Sequence, residues 1–152
     1  MPADGKRKLI LNAVVTQIKA ATGANYFFDY SSDVVALTRE TVQTRIESTR
    51  DVSVQIQDGA EQTTRALRSA SVVMDVAIIV TVKAQPASLV DALQNVFADI
   101  SRVLGLLPDL GVECTSTRID SIEKPFYDFS KRSAVATMHL RAEYDYEPGV
   151  DT

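Results

Sequence analysis

The sequence predicts a single α+β domain over residues 1–152, with a mainly antiparallel sheet and two amphipathic helices packed on it. Three stretches carry that prediction. Residues 71–84, SVVMDVAIIVTVKA, place Val72, Met74, Val76, Ile78, Val80 and Val82 on one face of a strand, while Val73, Ala77 and Ile79 share the other with Asp75, Thr81 and Lys83. A strand so rich in β-branched residues needs neighbours on both edges or cover on both faces, which puts it at the centre of the sheet. Residues 88–107 repeat Leu89, Leu93, Val96, Phe97, Ile100, Val103, Leu104 and Leu107 at steps of three and four, the stripe of a helix lying on a sheet. Residues 134–146 alternate, with Ala136, Met138, Leu140, Ala142, Tyr144 and Tyr146 on one face and Thr137, His139, Arg141, Glu143 and Asp145 on the other. Helices placed before and inside an otherwise hairpin-connected sheet specify α+β.

In chain order, residues 6–21 carry Leu9, Ile10, Ala13, Val14, Ile18 and Ala21 on one helical face, with Asp4 available as a cap and Gly23 as a stop. Lys6, Arg7 and Lys8 sit where the helix dipole is already positive. Their placement suits either a solvated basic end or a docking end that answers an acidic neighbour or nucleic acid. Tyr26, Phe27, Phe28 and Tyr30 then read as hydrophobic anchors of this helix. Residues 33–37 fit a short strand, and 42–46 stay open between extended chain and a helical turn. Val52, Val54 and Ile56 alternate with Ser53, Gln55 and Gln57 in a strand over 51–57, which Asp58-Gly59 is expected to end with a turn. The polar run 58–69 is then an exposed excursion between hairpin partners, where Arg65 and Arg68 would meet any nucleic acid nearby. Ser88 and Asp91 suggest a capping box for the second helix, and Gly105 and Pro108 bracket its end. A further strand is expected over 112–122, broken by Lys124-Pro125. Phe126, Tyr127 and Phe129 follow in a basic loop that suits a subunit interface better than base stacking.

The composition removes several function classes. A net charge of -4 and a pI near 5.0 disfavour a dedicated nucleic-acid binder. Cys114 is the single cysteine, so no internal disulfide can form, and a reducing compartment is expected. The basic and apolar start, residues 6–11, is interrupted too soon by Asn12, Thr16, Gln17 and Lys19 to serve as an export signal. No apolar run reaches the roughly 20 residues of a membrane span. His139 is the lone histidine and lacks partners at metal-ligand spacing, so it reads as a surface residue. Cys114 has no base beside it in the pattern and reads as structural. Neither GxxxxGK[ST] nor GxGxxG occurs. Asp75 interrupts an apolar strand and is expected to pair with an arginine of the adjacent strand or to face an interface. Asp99 and Arg102 read as an ordinary i,i+3 surface pair. No catalytic residue, metal ligand or cofactor is therefore expected, and the chain is not expected to be an enzyme.

The order of elements, namely the opening helix 6–21, the long strand 71–84, the helix 88–107 and the closing strand ending Arg141-Ala142-Glu143-Tyr144-Asp145-Tyr146, resembles the tail-terminator, or tail-completion, proteins of long-tailed bacteriophages and the related head-to-tail neck proteins. The resemblance covers most of the chain and is one of pattern, without a diagnostic motif. It implies a structural virion protein, assembled in the host cytoplasm, that forms a homo-oligomeric and usually hexameric ring. Such a ring ends the tail tube, contacts the tail-tube protein and the head-side connector, and lets DNA through its lumen without specific binding. By position and character, subunit contacts are then expected at Lys6, Arg7, Lys8, Asp75, Phe126, Tyr127, Phe129, Arg141 and Tyr144, and an axial loop at Arg65 and Arg68. Two other classes compete with it. One is a small ligand-binding domain or enzyme using Asp75, Cys114 or His139, which requires those three in one pocket. The other is an interaction module that binds a partner along an edge strand.

Overall fold

The computed structural model describes residues 5–30, 35–37, 51–65, 70–106, 110 and 116–146. Within them the chain folds as α+β: α1 (Lys6–Lys19), β1 (Val35–Leu37), β2 (Val52–Arg65), β3 (Ala70–Lys83), a 3-10 turn (Pro86–Ser88), α2 (Leu89–Gly105), β4 (Ser116–Ile122), β5 (Phe126–Asp128) and β6 (Ser133–Tyr146). The strand order is β1-β2-β3-β6-β4, with β5 also on β6. Ile122 lies opposite Met138 and Phe126 opposite Val135, so β4 and β5 form one edge row along β6, interrupted at Glu123-Lys124-Pro125. All pairings are antiparallel except β1 with β2.

As the sequence predicts, β3 is central, with β2 on one edge and β6 on the other. Val72, Met74, Val76, Ile78, Val80 and Val82 are all buried, and Ala134, Ala136, Met138, Leu140, Ala142 and Tyr144 of β6 join them. The helices cover this face. From α2 come Leu89, Leu93, Val96, Phe97, Ile100, Val103 and Leu104, and from α1 the single row Ile10, Val14 and Ile18 at steps of four. Each large side chain so buried contributes roughly 1.5–3 kcal/mol at most.

Local signals gave way to tertiary pairing at several points. Asp58-Gly59 is not a turn: the β2–β3 ladder continues to Arg65 opposite Ala70, and the extra residue is absorbed by a bulge between Asp58 and Glu61. The expected excursion over 58–69 is thus mostly strand, and Arg68 lies outside the described residues. So do residues 42–46, Cys114, Leu107 and Asp4. The residue preceding α1 is Gly5, which offers no side-chain cap, and no acidic residue occupies the first turn beside Lys6, Arg7 and Lys8. Ser88 precedes α2 but its hydroxyl makes no cap bond, because the 3-10 turn feeds the helix directly. Lys124–Arg132 is not simply a loop, since Phe126–Asp128 pairs with β6 before a turn at residues 129–132.

Asp99 is not a surface charge either. It lies within the apolar stripe of α2 and is 2% exposed. Its carboxylate accepts the Phe27 N–H at 3.0 and 3.1 Å, the Phe28 N–H at 3.3 Å and the Tyr30 hydroxyl at 2.8 Å. Burial pushes the Tyr30 phenol far up, and the hydrogen bond and charge of Asp99 push it further, so the phenol stays a donor. Nearby, the Arg102 guanidinium stands 6.0 Å from the Tyr26 ring, and Gln17 Nε2 donates to the Val103 carbonyl at 2.9 Å. Burying a carboxylate costs several kcal/mol, and charge-assisted hydrogen bonds return about 1.5–3 each. The net stabilisation is therefore small, while removing the acceptor strands the donors. Asp99→Ala is expected to lower unfolding stability in urea by about 2–4 kcal/mol, and Tyr30→Phe by about 1–2 kcal/mol. Equal, near-zero losses for both would show that the clamp holds nothing.

Candidate functional site

The alternation that buries the even-numbered side chains of β3 and β6 directs the odd-numbered ones to the other face of the sheet. At the β1 side this face is closed, with Ser53 and Gln55 buried. Over β3 and β6 it is half-open: Val73, Asp75, Ala77, Ile79 and Thr81 run beside Thr137, His139, Arg141 and Glu143, all intermediate in exposure.

Across this face runs a transverse polar row. Asp75 lies opposite Arg141 in the ladder and His139 opposite Ala77, which makes Asp75 and His139 diagonal neighbours. The small Ala77 leaves room for the ring, and His139 Nδ1 stands 3.1 and 3.3 Å from the Asp75 carboxylate oxygens. Nε2 stands 3.3 Å from Glu123 Oε1, and the Glu123 N–H donates to the Thr137 carbonyl at 2.9 Å. At the other end of the row, the β2 bulge brings Gly59 against Asp75. A Cβ on Gly59 would fall 2.6 Å from Asp75 Oδ2 and 2.9 Å from its backbone oxygen. Only glycine fits there.

The expected partner of Asp75, an arginine of the adjacent strand, is therefore replaced by His139, and His139 is a half-buried ion-pair centre instead of an isolated surface residue. Burial alone would lower the His139 pKa, but hydrogen bonds to Asp75 and Glu123, with their charges, raise it above its ordinary value. With a carboxylate at each nitrogen, the protonated ring is the form this setting favours, and in that form it donates on both sides and has no free lone pair with which to act as a general base. The two carboxylates lie on opposite sides of the ring and cannot converge on one ion, and among the described residues no group of three or more potential ligands could hold a metal. The three residues of the ligand-site reading are thus divided: Asp75 and His139 meet, as an ion pair, and Cys114 lies outside the described residues.

Beside the row is a depression of about 320 Å³ lined by Ala60, Gln62, Val73, Asp75, Asp120 and Arg141. Arg118 lies opposite Arg141, a like-charge pair relieved by Asp120 at 3.6 Å from Arg118 and Glu143 at 3.6 Å from Arg141 Nε. That last distance serves attraction but is too long for a hydrogen bond, so the buried Arg141 Nε–H has no acceptor among the described residues.

The other expected contact residues fall in different places. Phe126 and Phe129 are exposed, while Tyr127 is half-buried and stacks on Phe129 with ring centroids 5.9 Å apart. Phe126, paired with Val135, belongs to the open face at the end opposite the depression. Tyr144 is no surface anchor: it pairs with Val72 on the helix-covered face and is buried. Lys8 is exposed at the start of α1, which also holds Lys6 and Arg7, and Arg65 ends β2.

No family model and no curated protein matches the chain. Among the described residues no helix is long and apolar enough to cross a membrane.

Because the folded pKa of His139 is raised, its stabilising contribution is complete below the unfolded value near 6.5 and is lost as pH rises through the folded value. His139→Gln should remove that dependence, flattening the stability profile above about pH 6.5 by roughly 0.5–1 kcal/mol relative to the parent. Denaturation at a series of pH values reads it, and identical slopes would exclude the ion pair. Gly59→Ala should cost about 1–3 kcal/mol, because the Asp75 backbone cannot retreat from a β-carbon.

Proposed function

We propose that this chain is a structural assembly subunit: a ring-forming tail-terminator or neck protein of a long-tailed phage, located in the virion at the top of the tail. One observation carries the reading. Among the described residues both helices lie on one side of the sheet, and the other face, over β3 and β6, mixes apolar and ionic side chains that are half-buried before any partner arrives. Interfaces between subunits combine those two characters. A groove between α2 and β4 measures about 130 Å³, and the open-face depression, about 320 Å³, sits at the lower end of the roughly 300–1,000 Å³ typical of ligand pockets, with Asp75, Asp120 and Arg141 beside Ala60, Gln62 and Val73 in its lining.

The occupant of the open face is a second copy of this chain. Repeated head to tail, such a contact closes into a ring when the rotation between neighbours divides a full turn. A ring of this kind stops tube growth, presents one side to the tail-tube protein and the other to the head-side connector, and leaves a lumen for DNA. The net charge of -4 suits a wall that DNA must pass without adhering.

Sedimentation velocity and negative-stain electron microscopy of the purified chain test the reading. Closed rings, formed alone or on addition of tail-tube protein, are the expected result. A monomer at every concentration, with and without tail-tube protein, overturns it.

A further inference from the structure

The open face is electrically bipolar along its strands. At one end lie Asp75, Asp120, Glu143 and Asp145 against two guanidiniums, Arg118 and Arg141, and the His139 ring paired with Asp75, which leaves an acidic excess around the depression. At the other end the segment 124–132, which holds β5 and the β5–β6 turn, carries Lys124, Lys131 and Arg132, all exposed, around Phe126 at 68% and Phe129 at 49% exposure. This turn is stiff. The Asp128 carboxylate accepts the Ser130 hydroxyl at 2.7 Å and the Lys131 N–H at 3.1 Å, Phe129 stacks on Tyr127, and Arg132 takes a left-handed conformation with φ 55°. A rigid turn with exposed aromatic side chains loses little freedom on docking.

We infer that the basic aromatic segment at residues 124–132 of one copy seats in the Asp75–Asp120 depression of the next, an inference that rests on the ring-forming reading above. The two features cannot meet within one chain: Val135, beside the turn, and Arg141, in the depression, are six residues apart on one extended strand, roughly 20 Å at about 3.3 Å per residue. Opposite charge orients the approach, and the aromatic rings supply buried area. The basic end of one copy then always meets the acidic end of another.

Charge exchange and cysteine trapping test it together. Asp120→Lys and Lys131→Glu both lie at exposed positions, and each alone should weaken self-association about tenfold or more by sedimentation. The double variant carries both reversals, restores opposite charge at every contact and should recover association. A misfolded variant would not be rescued in that way. In a Cys114→Ser background, a Phe129→Cys copy mixed with a Gln62→Cys copy should give a disulfide-linked pair under mild oxidation, and neither alone should. If the parent chain forms rings but the single reversals assemble normally and the mixed cysteines stay unlinked, the seating is overturned while the ring reading stands. If the parent never associates, the ring reading itself falls, and the seating with it.

Discussion

The ladder between β3 and β6 runs from Ala70 opposite Tyr146 to Lys83 opposite Ser133 without a register shift, and the rest of the molecule depends on it. Because side chains alternate with a period of two, that register alone decides which half of each strand meets the helices. A slip of one residue would drive Asp75, His139 and Arg141 into the apolar layer and expose Val76, Met138 and Leu140. The burial of the even-numbered side chains, at roughly 1.5–3 kcal/mol each, far outweighs the roughly 0.5–1 kcal/mol of a half-exposed ion pair. The polar row across the open face is therefore a consequence of core packing.

Among the described strands, the register shifts fall in those flanking this ladder. β2 shifts register between Asp58 and Glu61, and β4 shifts between Ile119 and Ser121. Both shifts feed the open face. The first brings a glycine against Asp75, and the second places Asp120 on the wall of the depression. Asp99 performs a comparable service on the helix side, where one buried carboxylate gathers the amides of residues 27 and 28 and the hydroxyl of Tyr30 and so fixes the chain that leaves α1 against α2.

The periodic parts of this fold were legible in the sequence because periodicity reports burial directly. β3, β6 and α2 fall within two residues of where the apolar alternation and stripe place them. The role of Asp99 was also written there, between Phe97 and Ile100 on the buried stripe, but an i,i+3 partner at Arg102 drew attention to the surface. Tyr144 shares a strand face with Leu140 and Ala142, and its period assigns it to the core more reliably than its aromatic character assigns it to an interface. The pairing of Asp75 with His139 and the bulge at Gly59 were not legible. Each depends on which residue of one strand faces which residue of another, 64 positions away in the case of the histidine. Asp58-Gly59 is a turn by local preference, and only the continuing ladder on β3 converts it to a bulge.

The interrupted edge row has a consequence for life at high concentration. Along β4 and β5 the outward backbone groups are broken by the bulge near Asp120 and again at Pro125, which has no N–H to offer. A stray strand from another chain finds no continuous run of donors and acceptors there, so the sheet cannot grow sideways from that border. Copies of the chain crowded together are thereby steered away from fibrous aggregation through that border.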